Sequence, residues 1–473
     1  MSMLGASRPA EKSCFSQDTE LYQYCLCREE LSRNVFRNLH LVLIVFCFTA
    51  VSAAQAQGGR SSTEPEGVRE RRELGMYVPR PFTGSLDPYI KRAKAGDVET
   101  QYVLGFMYTE GWGVEQDLEK GFAWYELAAK QGHDKALKEV GNARLLGRGT
   151  RASPISAHDA WMEAAEKGNR EAMRNLAVYF QAGYAGTKDF KESAKWRLKS
   201  AELGLPISQY EIAMMYLQGQ GVDRNVDEAV RWLQKAAEGG NATAMYRLAL
   251  LHQSGLGVEL DYSKSIELLR EAANRGVVPA ISVLGKMYEQ GKGVPVDTER
   301  ARKYYLSGAK KGDLKAVVYL GQLYELGSGV DQDYRKARKY YKMAAKGGDI
   351  SANVRLALMD LRGAGMEKPD KKSGMDLLED AAKEGDLSAQ KVLGQIYWKA
   401  MYGVKQDTDR ATHWLSKAAD QGDAKSAYLV GEIYLSLPGP SRNETAAEQW
   451  FKTGDRLSGK KLEEEPASAG APK

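Results

Sequence analysis

The amino-acid sequence predicts an all-α fold, a right-handed α-solenoid of about ten helix-turn-helix repeats, each 36 or 37 residues long. Three periodic features support this prediction. They are a glycine that ends each repeat, a small residue inside its first helix, and a capping residue before its second helix. A repetitive chain needs no second core, because each repeat buries its apolar face against its neighbours. The predicted solenoid spans residues 87–457.

The terminal glycines recur at steps of 36 residues, with two steps of 37 near the end of the array. A second series of residues, always Gly or Ala, follows nine positions later and keeps the same steps. Two registers that stay in phase over ten repeats identify a tandem array. The terminal glycines are Gly96, Gly132, Gly168, Gly204, Gly240, Gly276, Gly312, Gly348, Gly385 and Gly422. The small residues are Gly105, Gly141, Ala177, Ala213, Ala249, Gly285, Gly321, Ala357, Gly394 and Gly431.

The first predicted helix of each repeat has its apolar residues on one side, as in Leu104-Gly105-Phe106-Met107-Tyr108. A glycine inside a helix lowers its stability by about 1 kcal/mol relative to alanine. The recurrence of Gly or Ala at this position therefore indicates a crossing where two helix backbones approach closely.

The second predicted helix of each repeat starts after an Asp, Asn or Ser, which are the residue types that satisfy free N–H groups at a helix N-terminus. An aromatic or Leu pair such as Tyr304-Tyr305 follows, then an Ala-Ala pair, and the helix stops at the terminal glycine. The ten predicted caps are Asp117, Ser153, Asp189, Asn225, Asp261, Asp297, Asp333, Asp370, Asp407 and Asn443. A lone helix capped by Asp87 is predicted before the first repeat.

The repeat Leu-Gly-x-x-Tyr-x-x-Gly-x-Gly-Val-x-x-Asp, followed by Ala-x-x-Trp-Tyr, Ala-Ala and Gly, resembles the Sel-like repeat (SLR). That family is a relative of the tetratricopeptide repeat, and the resemblance covers roughly residues 102–455. It implies a non-catalytic adaptor that scaffolds protein complexes. Repeats two, eight and ten depart from the pattern, at Arg144, Asp360 and Pro438-Gly439-Pro440 respectively, so we expect them to be less regular.

Residues 1–56 are predicted to be a leader that contains a secretory signal peptide. Arg33 and Arg37 precede an apolar run, Leu41 to Val51, and Ala54-Gln55-Ala56 offers a cleavage site. The run is shorter than the roughly 20 residues of a membrane span. The long polar stretch before it is unusual and indicates a misplaced start codon. An uncleaved signal anchor is the alternative.

Composition predicts disordered segments at 57–86 and 458–473 and restricts the chemistry of the repeats. All four cysteines precede residue 57, so the repeats contain no thiol for a disulfide, a zinc site or a nucleophile. The net charge of +5 is mild and does not favour a nucleic-acid partner. Membrane contact is expected only through the signal segment, if it stays uncleaved.

No catalytic residue, cofactor, metal site or small-molecule substrate is predicted. His133, His158, His252 and His413 lie in different repeats, and none has a second ligand at the spacing of a metal-binding helix. The Gly-x-Gly loops lack the Lys-Ser/Thr ending of a phosphate-binding loop. These residues are better explained by packing and by loop geometry.

Positions −3, +1 and +4 from the small residue of each first helix, here called the stripe, are predicted to face away from the core, toward the concave side of the solenoid. Most repeats carry mixed residues there, whereas repeats four and five carry Tyr and Met, which are typical of interfaces. The predicted partner-binding residues are Tyr210, Met214, Leu217, Tyr246 and Leu250, with Tyr102 and Phe106 as a smaller patch. The alternative is that position −3 packs between repeats.

The leading functional prediction is an exported adaptor in a Gram-negative periplasm that holds a protein partner on this concave surface. The first alternative, implied by the family resemblance, is a periplasmic inhibitor or immunity protein that captures a secreted toxic enzyme. Both predict a partner encoded nearby. The second alternative is an envelope-acting hydrolase. The alternatives are that the protein is secreted from the cell or that it stays anchored in the membrane by its signal segment.

Overall fold

The computed structural model describes residues 85–184, 186–439 and 442–459, and within these ranges every regular element is a helix. A lone helix, α1 (Asp87–Lys94), comes first. The first helices of the ten repeats are α2 (Val98–Glu110), α4 (Asp134–Leu146), α6 (Arg170–Ala182), α8 (Pro206–Gln218), α10 (Ala242–Ser254), α12 (Val278–Gln290), α14 (Leu314–Leu326), α16 (Ile350–Arg362), α18 (Leu387–Lys399) and α20 (Ala424–Ser436). The second helices are α3 (Leu118–Lys130), α5 (Pro154–Glu166), α7 (Phe190–Glu202), α9 (Val226–Glu238), α11 (Tyr262–Asn274), α13 (Thr298–Lys310), α15 (Tyr334–Lys346), α17 (Lys371–Lys383), α19 (Thr408–Asp420) and α21 (Glu444–Ser458).

The described residues form two compact units, 85–280 and 281–459, with the boundary inside α12. In the first unit, successive helices from α1 to α11 pack against one another, and the same holds from α13 to α21 in the second. The predicted all-α solenoid of ten helix pairs is confirmed. The predicted leader, residues 57–84 of the predicted linker and the tail from residue 460 lie outside the described residues.

The capping residues predicted for the second helices are confirmed in all ten repeats, since each side chain accepts a hydrogen bond from a backbone N–H three residues later. The carboxylate of Asp261, for example, accepts from the N–H of Lys264 at 2.8 Å. The predicted cap of the lone helix is wrong by one residue. Asp87 is the first helical residue, and the residue before it, Leu86, makes no side-chain capping bond.

The two glycines of each Gly-x-Gly loop have different structural roles. Gly219 ends α8 in the left-handed conformation, with φ +67°, which glycine adopts without steric cost. Gly221 lies against the start of the preceding repeat's second helix, where a Cβ atom would come within 2.0 Å of the carbonyl oxygen of Phe190. The second glycine is therefore required by packing between repeats.

The expected irregularity of repeats two and eight is wrong at the level of their helices, because α4, α5, α16 and α17 each have the usual 13 residues. Repeat ten does depart, since α20 ends at Leu437 in an extended conformation without a left-handed glycine. Repeat nine departs in a way that the sequence analysis missed. Its first helix ends at Ala400, with φ 53°, and a short 3-10 helix, Met401–Gly403, follows.

Candidate protein-binding surface

The smaller predicted patch, Tyr102 and Phe106, is not exposed to solvent. Both side chains are buried, with exposed fractions of 1% and 0%, so the prediction that they face a partner is wrong. The Tyr102 ring stacks on the ring of His133 at 4.8 Å between centroids, and Phe106 meets Trp112 edge-on at 5.8 Å. Leu86, at the start of α1, packs on the same core.

Position −3 is an inter-repeat packing position in half of the repeats, as the alternative interpretation proposed. Lys138 illustrates the contact, since its ammonium binds Glu139 at 2.7 Å and, in the next repeat, Glu171 at 2.8 Å. The side chains buried at this position are Tyr102, Lys138, Ser282, Val318 and Val354.

Polar residues on the first helices of the other repeats join one repeat to the next. The amide of Asn175 donates to Oδ1 of Asn142 at 2.8 Å. The ammonium of Lys391 binds Asp423 in the following repeat at 2.6 Å. In these two cases the polar side chains are thus engaged within the protein.

Repeats four and five differ, because their predicted partner-binding residues are large, mostly apolar and only partly buried. Tyr210, Met214 and Leu217 on α8 and Tyr246 and Leu250 on α10 all retain solvent exposure between the buried and fully exposed limits. We call these five residues the Tyr–Met patch. Tyr246 and Leu250 occupy the positions of Tyr210 and Met214 one repeat later. The structure therefore places the patch in one register on consecutive first helices of one unit.

A partly buried charge cluster begins at the residue after Tyr210 and was missed by the sequence analysis. Glu211, next to Tyr210, accepts hydrogen bonds from Arg174 at 2.6 Å and from Arg197 at 3.1 Å. The Arg197 side chain is buried and also donates to Ser193 at 2.9 Å. The only signal in the sequence is the identity of Arg197, which follows Trp196 where other repeats have an aromatic residue or Leu.

The electrostatics of this cluster favour the ionised carboxylate. Burial alone would raise the pKa of Glu211, but the guanidinium groups of Arg174 and Arg197 outweigh it and lower the pKa below its ordinary value. Glu211 therefore stays charged at neutral pH and holds Arg174 and Arg197 in place.

Two of the histidines form hydrogen bonds with the backbone of their own repeat or helix end. Nδ1 of His133 accepts from the N–H of Ala136 at 3.1 Å and caps α4, and the His252 ring lies 3.1 Å from the carbonyl oxygen of Glu259. Within the described ranges, no three His, Cys, Asp or Glu side chains are grouped so that they could hold a metal ion. No helix in these ranges is long and apolar enough to cross a membrane.

Tandem helix pairs with such a surface define a repeat scaffold suited to protein–protein interaction. A family model described as the Sel1 repeat matches nine stretches, 98–133, 170–205, 206–241, 242–277, 278–313, 314–349, 350–386, 387–423 and 424–453. The chain belongs to the Sel1 repeat family, as the resemblance predicted. Repeat two is not matched, although its two helices, α4 and α5, are as long as the others.

Three proteins illustrate the similarity. The crystal structure of c5321, a protective antigen of uropathogenic Escherichia coli strains with an SLR fold, is 29% identical, with 82% of this chain and 83% of that chain covered and a TM-score of 0.64. A Sel1 repeat protein from Oxalobacter formigenes is 33% identical over 52% of this chain and 99% of its own, with a TM-score of 0.46. Chitin synthase regulatory factor 1 of Schizosaccharomyces pombe is 31% identical over 146 residues, 27% of this chain. The matched part spans 32% of that relative's length.

Proposed function

We propose that this protein is an exported, non-catalytic adaptor that binds a segment of a protein partner on the surface of its first helices. The observation that carries the proposal is the Tyr–Met patch. Its five large side chains stay partly exposed on consecutive repeats, whereas polar side chains on the first helices of repeats three and nine bind neighbouring repeats.

The chemistry of the patch suits a protein partner. Tyrosine and methionine are enriched in the cores of protein interfaces, which are surrounded by a polar rim. The carboxylate of Glu211, the residue after Tyr210, and the guanidinium of Arg174 that donates to it supply such a rim. Because these charged groups are fixed by one another, binding would order few additional side chains, which favours affinity.

The spacing of the patch suits an elongated ligand. Tyr210, Met214 and Leu217 follow one another at intervals of four and three residues, so they form one line along α8. Tyr246 and Leu250 repeat the first two positions on α10. A partner helix or extended strand that presents apolar residues at similar intervals would contact both lines. The surface of the first helices is expected to be the concave one.

Export to a Gram-negative periplasm is part of the proposal and rests on the leader sequence. Its apolar run and the Ala54-Gln55-Ala56 site lie outside the described residues. A partner in the same compartment, encoded nearby, is the expected ligand.

The test is partner capture with the full chain, in which each captured protein is quantified by mass spectrometry. Tyr210→Ala with Tyr246→Ala should reduce recovery of one specific partner, with an affinity loss of at least about 30-fold, since interface anchors contribute 2 kcal/mol or more. The matched control is Tyr184→Ala with Leu326→Ala, which removes two large exposed side chains outside the patch. The control should bind normally.

Circular dichroism and thermal unfolding of the same variants separate binding from packing. The helix content and melting temperature of the patch variant should match those of the control. A patch variant that loses helix or melts much earlier would show that these tyrosines pack between repeats, and the proposed site would be wrong.

A further inference from the structure

The second helix of repeat seven, α15, carries a row of four cations on one face. Arg335, Lys339, Lys342 and Lys346 follow one another at intervals of four, three and four residues, which places them within one narrow stripe of the helix. The 13 residues of α15 include six basic residues and no acidic one. In none of the other nine second helices are more than two of the four equivalent positions basic.

The four cations of the row have no acidic partner among the described residues. Arg335, Lys342 and Lys346 are exposed, Lys339 is half-buried, and none of the four forms an ion pair with another described residue. Two other basic residues of α15 are engaged, since Arg338 pairs with Asp360 and Lys336 lies 3.8 Å from Asp333. Neighbouring like charges lower helix stability. The row is therefore not explained by the needs of the fold.

The positive surface extends onto the preceding repeat of the same unit. Lys303 and Lys310 of α13 occupy the positions of Lys339 and Lys346, and Lys311 follows directly. All three side chains are exposed, and of these Lys303 lies 3.7 Å from Glu299. Along the helix axis, the row on α15 is roughly 16 Å long, given a rise of 1.5 Å per residue. We call these seven residues, Lys303, Lys310, Lys311, Arg335, Lys339, Lys342 and Lys346, the lysine surface.

The residue types indicate the class of ligand. Lysine is depleted in protein–protein interfaces, where tyrosine, tryptophan, methionine and arginine dominate. It acts as a flexible point charge rather than as a rigid fork for one carboxylate or phosphate. Six of the seven residues are lysines, and exposed Tyr334 begins α15. Basic clusters of this size are attracted to anionic bilayers, and tyrosine favours the bilayer interface.

We propose that the lysine surface binds the phosphate headgroups of an anionic lipid bilayer and holds the protein beside a membrane by electrostatic attraction. This contact is separate from the Tyr–Met patch, which lies on first helices, and from any contact made by the signal segment. The proposal does not depend on the proposed adaptor function.

The test measures binding of the full-length protein to lipid vesicles. The vesicles contain about one third phosphatidylglycerol in phosphatidylcholine, at an ionic strength near 0.1 M, and pure phosphatidylcholine vesicles are the neutral comparison. Arg335→Gln, Lys339→Gln, Lys342→Gln and Lys346→Gln together should weaken binding to the anionic vesicles by about 100-fold or more, since each basic residue near such a surface contributes roughly fivefold. Binding to neutral vesicles should not change.

The matched control removes the same charge from scattered sites: Lys94→Gln, Lys191→Gln, Lys405→Gln and Lys425→Gln. These four lysines are exposed and form no ion pair within the described residues. Both variants keep residues 1–84, so any lipid contact made there is common to them. Since the substitutions are at the surface, circular dichroism should show both variants folded.

The control variant should lose far less affinity than the row variant. Equal losses in the two variants would overturn the proposal, because they would reflect net charge alone. Unchanged vesicle binding by the row variant would also overturn it. So would a selective loss of binding to DNA or to polyglutamate, measured in parallel, since the row would then serve another polyanion.

Discussion

Gly285 in α12 lies directly under the aromatic ring of Tyr305 in α13, where a Cβ atom would come within 2.5 Å of Tyr305 Cε1. The same contact recurs in other repeats, with the residue 20 positions later or, for Gly394 and Leu415 of repeat nine, 21 positions later. The further pairs with an aromatic partner are Gly105 with Tyr125, Gly141 with Trp161, Gly321 with Tyr341, and Gly431 with Phe451. In the first unit, where alanine takes the small position, the partner is Arg197, Leu233 or Leu269. Each aromatic residue at the partner position thus faces a glycine at the small position.

Gly285→Leu should lower the free energy of unfolding by at least 1–3 kcal/mol, because the added side chain has no space under the Tyr305 ring. Urea denaturation followed by circular dichroism measures the change. A compensated variant, Gly285→Ala with Tyr305→Leu, copies the Ala213 and Leu233 pair and should recover most of the loss. Full stability of Gly285→Leu would mean that this crossing is not tight.

Glu211→Gln should lower the free energy of unfolding by about 3 kcal/mol, because it leaves the Arg197 guanidinium buried without its carboxylate. Adding Arg197→Leu, the residue type of the next two repeats, should restore most of this loss. Chemical denaturation of the single and double variants measures both effects. Glu202→Gln, at an exposed carboxylate of the same unit, should change stability by less than about 0.5 kcal/mol. Equal effects of Glu211→Gln and Glu202→Gln would contradict the prediction.

The contribution of Glu211 to the free energy of unfolding should decrease in acid. Its pKa in the folded protein is lower than its ordinary value of 4.5. The stabilisation is therefore fully present above pH 4.5 and is lost as the pH falls through the lower folded-state pKa. The difference in unfolding free energy between the wild type and Glu211→Gln should be constant near neutral pH and shrink in acid. A difference that grows in acid would exclude this origin.

Ala400→Gly should stabilise repeat nine by about 0.5–1 kcal/mol, because a left-handed backbone is strained for alanine and free of strain for glycine. The reverse change in repeat eight, Gly363→Ala, removes a left-handed glycine with φ 72° and should destabilise the protein by a similar amount. Melting temperatures of the two variants should thus move in opposite directions. A lower melting temperature for Ala400→Gly would contradict the assigned backbone conformation.

Cleavage after Ala56 is expected to leave Gln57 as the mature N-terminus, because Ala54 and Ala56 are the small residues that signal peptidase requires. Mass spectrometry of the protein recovered from the expressing cell measures this directly. A recovered species that still contains the apolar run 41–51 would instead indicate a signal anchor.

Periodicity determined which parts of the structure were predictable. The helix pairs and all ten caps of the second helices follow from features that recur within one repeat. The burial of Tyr102 and Phe106 does not, because it depends on α1 and the neighbouring core, which the helical wheel of a single helix leaves out. Arg197 was missed for a related reason. Its carboxylate partner, Glu211, is supplied by the next repeat, so neither residue explains the other within a single unit of the pattern.

The two kinds of contact have different consequences when the number of repeats changes. Each small residue and its partner 20 or 21 positions later belong to one repeat, so a copied or deleted repeat carries the pair with it. The bond from Arg174 to Glu211 joins two particular neighbours. Removing the 36 residues 206–241 would bring Arg247 to the position of Glu211, opposite Arg174 and Arg197. Packing within each repeat is therefore preserved when a repeat is gained or lost. The charged contacts between repeats are preserved only when the same two repeats remain neighbours.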